Sequence, residues 1–297
     1  LKAGKVFFSS GKKDINQFFI NGAKVFNMWH GAPLKKIGES NKFTKSISNK
    51  FIYDKLFTFL NGLKFDTLVS PGSFFNKYFA EAFALQPQQI ISVGYPRNDV
   101  LLKSNRQHAF FESEQFKGKK IVFYMPTFRD TNAGLDLFGT FGFEERAIKQ
   151  VLENESAVFI YKFHFAAIKP LNGFRDERIL DFDDLGIQGE LYDFLANVDV
   201  LITDYSSVYF DFLLTEKSII LTPFDIESYL NNDREFYFEY DELDCDLVCH
   251  DWTEVVGCLS DAINQKNTQK IIGAKYKFNS NLEGDSCEKL IEELLIK

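Results

Sequence analysis

Val200-Leu201-Ile202-Thr203-Asp204-Tyr205-Ser206-Ser207-Val208 sets the frame for the whole chain. The apolar run of residues 200–202 is short and β-branched, which predicts a buried strand rather than a helix. It ends in the polar pair Thr203-Asp204. Beyond Ser207, the apolar residues Val208, Phe212 and Leu213 recur at helical spacing. A strand that enters a helix through a small polar turn gathers free backbone N–H groups and the positive end of the helix dipole in one place. The adjacent hydroxyls of Ser206 and Ser207 add donors, so the turn predicts a phosphate seat. The same serines also suit a helix cap, and spacing alone leaves both roles open.

The rhythm of strand, polar turn and helix extends outward in both directions. Upstream, strands are predicted over residues 121–125 and 158–162, leading to Pro126-Thr127-Phe128-Arg129-Asp130 and to Phe163-His164. Further strands fall at 178–182 and 219–222, with helices at 143–153 and 191–197. The first part of the chain repeats the pattern. Strands at 5–9, 24–28, 67–70 and 90–93 accompany a helix at 74–85. Two of these strands run into Trp29-His30-Gly31-Ala32-Pro33-Leu34-Lys35-Lys36 and Gly94-Tyr95-Pro96-Arg97-Asn98-Asp99. Every motif of unusual polar content therefore follows a strand, and open parallel sheets bind ligands at that edge. His30 and Arg97 both sit there. The polar, lysine-rich stretch 103–118 predicts a boundary between a domain of residues 1–105 and one of residues 106–297. The fold class is α/β, with two parallel-sheet domains facing each other across a cleft.

Composition narrows the function. Over 297 residues the hydrophobic fraction is 45% and the charged fraction 26%, as in a globular chain. A net charge of −8 argues against a nucleic-acid partner, which needs a basic footprint. Lysines interrupt any apolar stretch at the start, no run reaches the roughly 18 apolar residues of a membrane span, and a cytoplasmic setting with reduced thiols is expected. Leu1 lies directly before a strand, so native sequence is expected upstream. Cys245, Cys249 and His250 lack a second ligand pair at workable distance, so no metal site is predicted. Neither a P-loop nor a G-x-G-x-x-G fingerprint occurs. In residues 45–64, Ile52, Leu56, Phe59, Leu60 and Leu63 form one helical stripe, punctuated by Lys45, Lys50, Lys55 and Lys64. That helix suits either core packing or peripheral contact with an anionic membrane.

The motifs, taken in order, resemble the CDP-glycerol glycerophosphotransferase family of teichoic-acid and capsule polymerases and primases. Trp29-His30-Gly31-Ala32-Pro33-Leu34-Lys35 is similar to its W-H-G-T-P-x-K signature. Residues 94–99, 126–130 and 202–207, Phe210-Asp211-Phe212 and Glu283-Gly284-Asp285-Ser286-Cys287 resemble its later blocks. Three positions depart from it: Ala32 replaces a threonine, Phe165 a proline after His164, and Glu235 a glycine in Arg234-Glu235-Phe236-Tyr237.

The resemblance implies a GT-B architecture of two Rossmann-like domains. It also implies transfer of a polyol phosphate from a CDP-linked donor to a polymeric or lipid-linked acceptor, with release of CMP and no metal or other cofactor. An alcohol needs a base to take its proton as it attacks phosphorus, and His30 is the candidate, with His164 pairing with the diphosphate. The donor side is then Thr203, Asp204, Ser206, Ser207, Arg129 and Asp211, with Gly31, Lys35, Arg97 and Asp99 on the acceptor side or in the cleft. Two alternatives share the scaffold. One is a glycosyltransferase using a sugar nucleotide, and the other a non-catalytic module of a larger capsule-assembly protein.

Overall fold

Short apolar runs that end in polar turns do become parallel strands here, with crossover connections between them. The computed structural model describes residues 3–10, 14–15, 20, 22–41, 65–103, 109–132, 134–164, 174, 176–265 and 268–296. Its first sheet runs in sequence order, β1 (Lys5–Phe8), β2 (Lys24–Asn27), β3 (Thr67–Val69) and β4 (Ile90–Ile91). Helix α1 (Asn76–Phe83) follows β3, and the short α2 (Asp99–Leu102) follows β4.

The second sheet contains β5 (Lys120–Tyr124), β6 (Ala157–Tyr161), β7 (Ile179–Asp181), β8 (Val200–Thr203), β9 (Ser218–Leu221) and β10 (Leu247–Val248). Its spatial order, β10-β9-β8-β5-β6-β7, is that of a doubly wound Rossmann sheet, and all pairs are parallel. Strands β5 and β8 lie side by side in the register Val122↔Val200, Phe123↔Leu201, Tyr124↔Ile202. The order reverses between them, so a crevice opens at their carboxyl ends. All five residues of β6 and all four of β8 are buried, as in a sheet covered on both faces. Among the described residues, six helices serve this half: α3 (Glu145–Asn154), α4 (Leu191–Leu195), α5 (Val208–Phe212), α6 (Ile226–Asn232), α7 (Trp252–Asn264) and α8 (Gln269–Phe278). The last, α9 (Ser286–Ile296), returns to the first sheet's side, where Leu290 packs with Val69 and Tyr95.

Phenylalanine joins the halves. Phe74 and Phe75 meet Phe278 and Phe210 at ring separations of 4.9 and 5.1 Å, edge to face. Three polar ties reinforce that belt. Buried Asp211 on α5 accepts from Arg97 (3.1 Å), Asn98 (2.8 Å) and Tyr192 (2.5 Å), while the Arg97 guanidinium stacks on the rings of Tyr95 and Tyr192. Segment 34–37 pairs with segment 235–237 through Lys36 N–H to Glu235 O and Tyr237 N–H to Leu34 O, both 2.8 Å. Asp99 accepts from the amides of Ser286 and Cys287 at the start of α9.

Element ends differ from the sequence expectation by at most two residues, as where helices and strands fray. Strand β10 had no sequence signal, since two residues carry no periodicity. Glu235 replaces glycine without strain, because its backbone is not in the positive-φ region. The lysine-rich segment 45–64 and the proposed boundary at 105/106 lie outside the described residues. Among the described residues, no helix is long and apolar enough to cross a membrane.

Asp211→Ala would leave a guanidinium, an amide and a phenol facing a gap between the halves. Breaking a buried pair this way costs about 3–5 kcal/mol, so the denaturation midpoint should fall substantially. An unchanged midpoint would mean the tie contributes nothing to stability.

Candidate active site

The crevice at the β5/β8 switch point opens into a cleft of about 680 Å³ between the two halves, within the usual range for small-ligand sites. Met125, Pro126, Thr127 and Phe128 line it from the turn after β5, Ser206 and Ser207 from the turn after β8, and His164 from the turn after β6. The first half contributes His30, Lys35 and Ile37.

The serines are largely free of the capping role. Ser207 makes no side-chain bond to the helix it precedes, and Ser206 Oγ receives only a long 3.4 Å contact from Val208 N–H. Both hydroxyls are left to face the cleft. Thr127 also lines the cleft, and its Oγ1 is buried without a hydrogen-bond partner. A buried hydroxyl in that state is costly unless a ligand completes it.

His30 is exposed at the opposite wall. Its ring lies over Trp29, with centroids 4.2 Å apart, and Nδ1 is 3.1 Å from the carbonyl oxygen of Ser9. A carbonyl only accepts, so in the neutral ring Nδ1 carries the proton and Nε2 keeps a lone pair. The next residue explains how this wall meets the serines. A Cβ on Gly31 would overlap Ser207 Oγ, so only glycine allows the backbone this close.

Positive charge comes from Lys35, Lys162 and Arg234. Arg234 pairs with Asp130 at 2.7 Å and Lys162 with Asp183 at 2.8 Å. These are partly solvated pairs of small net worth, which a phosphate can replace. Burial pushes the Lys35 amine down to about 8, helped by Arg234 and Arg129 and opposed by Asp204. His164 stacks over Phe128, with centroids 4.8 Å apart. Among the described residues, no group of three His, Cys, Asp or Glu side chains is placed to hold a metal ion.

Several residues expected at the site stand outside its lining. Arg129 is 3% exposed and binds Asp204 (2.5 Å) and Asp225 (2.6 Å), so its charge is consumed and cannot clamp a diphosphate. Asp204 accepts from Thr127 N–H at 2.8 Å as well as from Arg129, and Thr203 Oγ1 donates to Met125 O at 2.7 Å. These two brace the turns from behind. Asp211 and Arg97 hold the halves together, and Asp99 caps α9. The sequence reading missed Thr127, Lys162, Asp183, Tyr229 and Arg234 as lining residues. For Lys162 the signal was present in its position at the end of β6. Arg234 stood in a motif already quoted, and Thr127 beside the arginine chosen instead.

Two doubly layered α/β halves enclosing a cation-lined cleft at a switch point define a GT-B fold. The chain belongs to the CDP-glycerol:poly(glycerophosphate) glycerophosphotransferase family, whose model matches residues 2–296. It is 31% identical over 289 residues to a teichoic acid poly(glycerol phosphate) polymerase of Bacillus spizizenii, covering 90% of this chain and 68% of that protein. Against a teichoic acid glycerol-phosphate transferase of Staphylococcus aureus it is 30% identical over 226 residues, 71% of this chain and 55% of that one. Among solved structures, the wall teichoic acid polymerase TagF superposes with a TM-score of 0.73 at 23% identity, over 98% of this chain and 72% of that chain. A UDP-N-acetylglucosamine 2-epimerase superposes at 0.53 with 11% identity, over 99% of this chain and 71% of that chain. These two likenesses concern the fold.

Two measurements test the site. Arg129→Leu strands two buried carboxylates, and the loss of stability should be about 3–5 kcal/mol. A stable protein with weakened donor binding would instead return Arg129 to the cleft. Lys35 binds phosphate only when protonated, so affinity for CDP should fall as pH rises through about 8. A flat profile from pH 7 to 9.5 would remove Lys35 from the binding site.

Proposed function

We propose that the protein transfers glycerol phosphate, or a related polyol phosphate, from a CDP-linked donor to a hydroxyl of a polymeric or lipid-linked acceptor. One observation carries this reading. A histidine with an available Nε2 lone pair stands on one wall of the cleft, and the loop that bears it is pressed against the hydroxyl-rich turn of the other.

The acceptor oxygen attacks the β-phosphorus of the donor while His30 Nε2 takes the hydroxyl proton. A phosphorus–oxygen bond forms to the acceptor, and the bond to the bridging oxygen breaks with its electron pair, releasing CMP. Negative charge grows on the bridging and non-bridging oxygens. In this reading the hydroxyls of Ser206 and Ser207 and the cations Lys35, Lys162 and Arg234 stabilise it, the fixed-donor strategy of phosphoryl transfer. His164, which lies beside Phe128 in the cleft lining, contacts the donor in this reading. In this reading no metal ion is required, because side chains supply the positive charge. The likeness of the family to polymer-forming enzymes supports a polymeric acceptor.

The test is product formation. Incubation with CDP-glycerol, CDP-ribitol and a panel of sugar nucleotides should yield CMP from a CDP-polyol, whereas turnover of a sugar nucleotide alone would make the protein a glycosyltransferase. His30→Ala should lower turnover by about 10² or more with CDP affinity nearly unchanged. Ser207→Ala should weaken donor binding by about 1.5–3 kcal/mol. If it instead lowers the melting temperature and spares affinity, the serine is a cap. EDTA should leave the rate intact, and loss of activity restored by Mg²⁺ would refute the metal-free mechanism.

A further inference from the structure

The backbone that carries His30 is bent in a way that needs explaining. Trp29 has a φ of 49°, in the left-handed region, where a bulky aromatic residue is an outlier. Such a conformation costs on the order of 1–3 kcal/mol and persists only when its surroundings over-determine it.

Those surroundings can be named. Asn27, the last residue of β2, is 2% exposed, and its Oδ1 accepts from the Trp29 amide at 2.9 Å. This side-chain bond closes a tight turn of the kind asparagine makes at strand ends. The indole is then held edge-on by Phe83 at 5.0 Å and Phe79 at 6.4 Å. It also contacts the His30 ring itself. On the far side of that ring's Nδ1, the Ser9 carbonyl belongs to a loop pinned by Asp14, which accepts from the amides of Ser9 (3.0 Å) and Ser10 (2.6 Å). The strained residue, its internal acceptor and the two ring contacts all converge on the orientation of one imidazole.

We propose that Asn27 is a positioning residue for His30: its side-chain oxygen holds Trp29 in the left-handed turn that aims Nε2 across the cleft at the acceptor hydroxyl. Asn27 does not line the cleft, so it acts through the imidazole alone. The inference rests on His30 being the base.

The experiment is a double-mutant cycle on the full chain, reading CMP release from CDP-glycerol, CDP affinity and thermal melting. Asn27→Ala should lower kcat at least tenfold with CDP affinity within twofold. Asn27→Asp, which keeps an acceptor oxygen in place, should recover most of the rate. In a His30→Ala background, Asn27→Ala should have almost no further effect, because a residue that works only through the ring is silent once the ring is gone. Should Asn27→Ala lose its cooperative melt, Asn27→Ser, with a shorter and weaker acceptor, takes its place with an intermediate loss of rate and the same silence in the His30→Ala background. Equal effects in both backgrounds, or a lowered melting temperature with normal kcat, overturn the proposal while leaving His30 as the base. Full activity in His30→Ala itself overturns both.

Discussion

Arg129 is the ion on which the second half turns. It comes from the turn after β5, Asp204 from the turn after β8 and Asp225 from the turn after β9. One buried guanidinium, forked onto both carboxylates and onto Thr127 O, therefore fastens three neighbouring strand ends at the point where the sheet reverses direction. Tyr205 and Tyr229 add their ring faces to the same cation. A buried ion pair contributes little net stability compared with an apolar replacement, yet it fixes geometry strictly because each partner is intolerable alone. Here the geometry so fixed is that of the turns presenting Thr127, Ser206 and Ser207.

The two halves divide the chemistry between them. The second holds hydroxyls and most of the positive charge, and the first supplies an imidazole. The contacts that hold the two walls together are varied. Ring packing, a buried carboxylate and a short antiparallel pairing each oppose a different displacement. The pairing of 34–37 with 235–237 also carries Lys35 and Arg234 toward the same cleft, so one backbone contact assembles two cations from distant parts of the chain.

Much of this was legible in the amino-acid order, for a physical reason. Parallel strands buried on both faces read as unbroken apolar runs, and the polar residues that interrupt them fall at the ligand-binding edge. His30, His164, Ser206 and Ser207, which line the cleft, could be found that way, and Lys35 through the family motif. Distinguishing Arg129 or Asp211 from a ligand-binding charge could not be done locally. Arg129 lies 75 residues from Asp204 and 96 from Asp225, and Asp211 lies 114 from Arg97. Whether a charge is spent inside the protein or left for a ligand depends on which partner arrives in space. Thr127 was passed over for the complementary reason: an uncharged hydroxyl attracts attention only once its neighbours are known to leave it unsatisfied.

The close seating of Gly31 on Ser207 acts as a spacer gauge. The loop that bears His30 closes directly on the Ser207 side chain, whose Cβ and Oγ occupy the space that a Cβ on residue 31 would need. Enlarging residue 31 by a single carbon would displace the Ser207 side chain or drive the two walls of the cleft apart as a wedge does. The fit of the two walls is therefore encoded in part at a position that has no functional group at all.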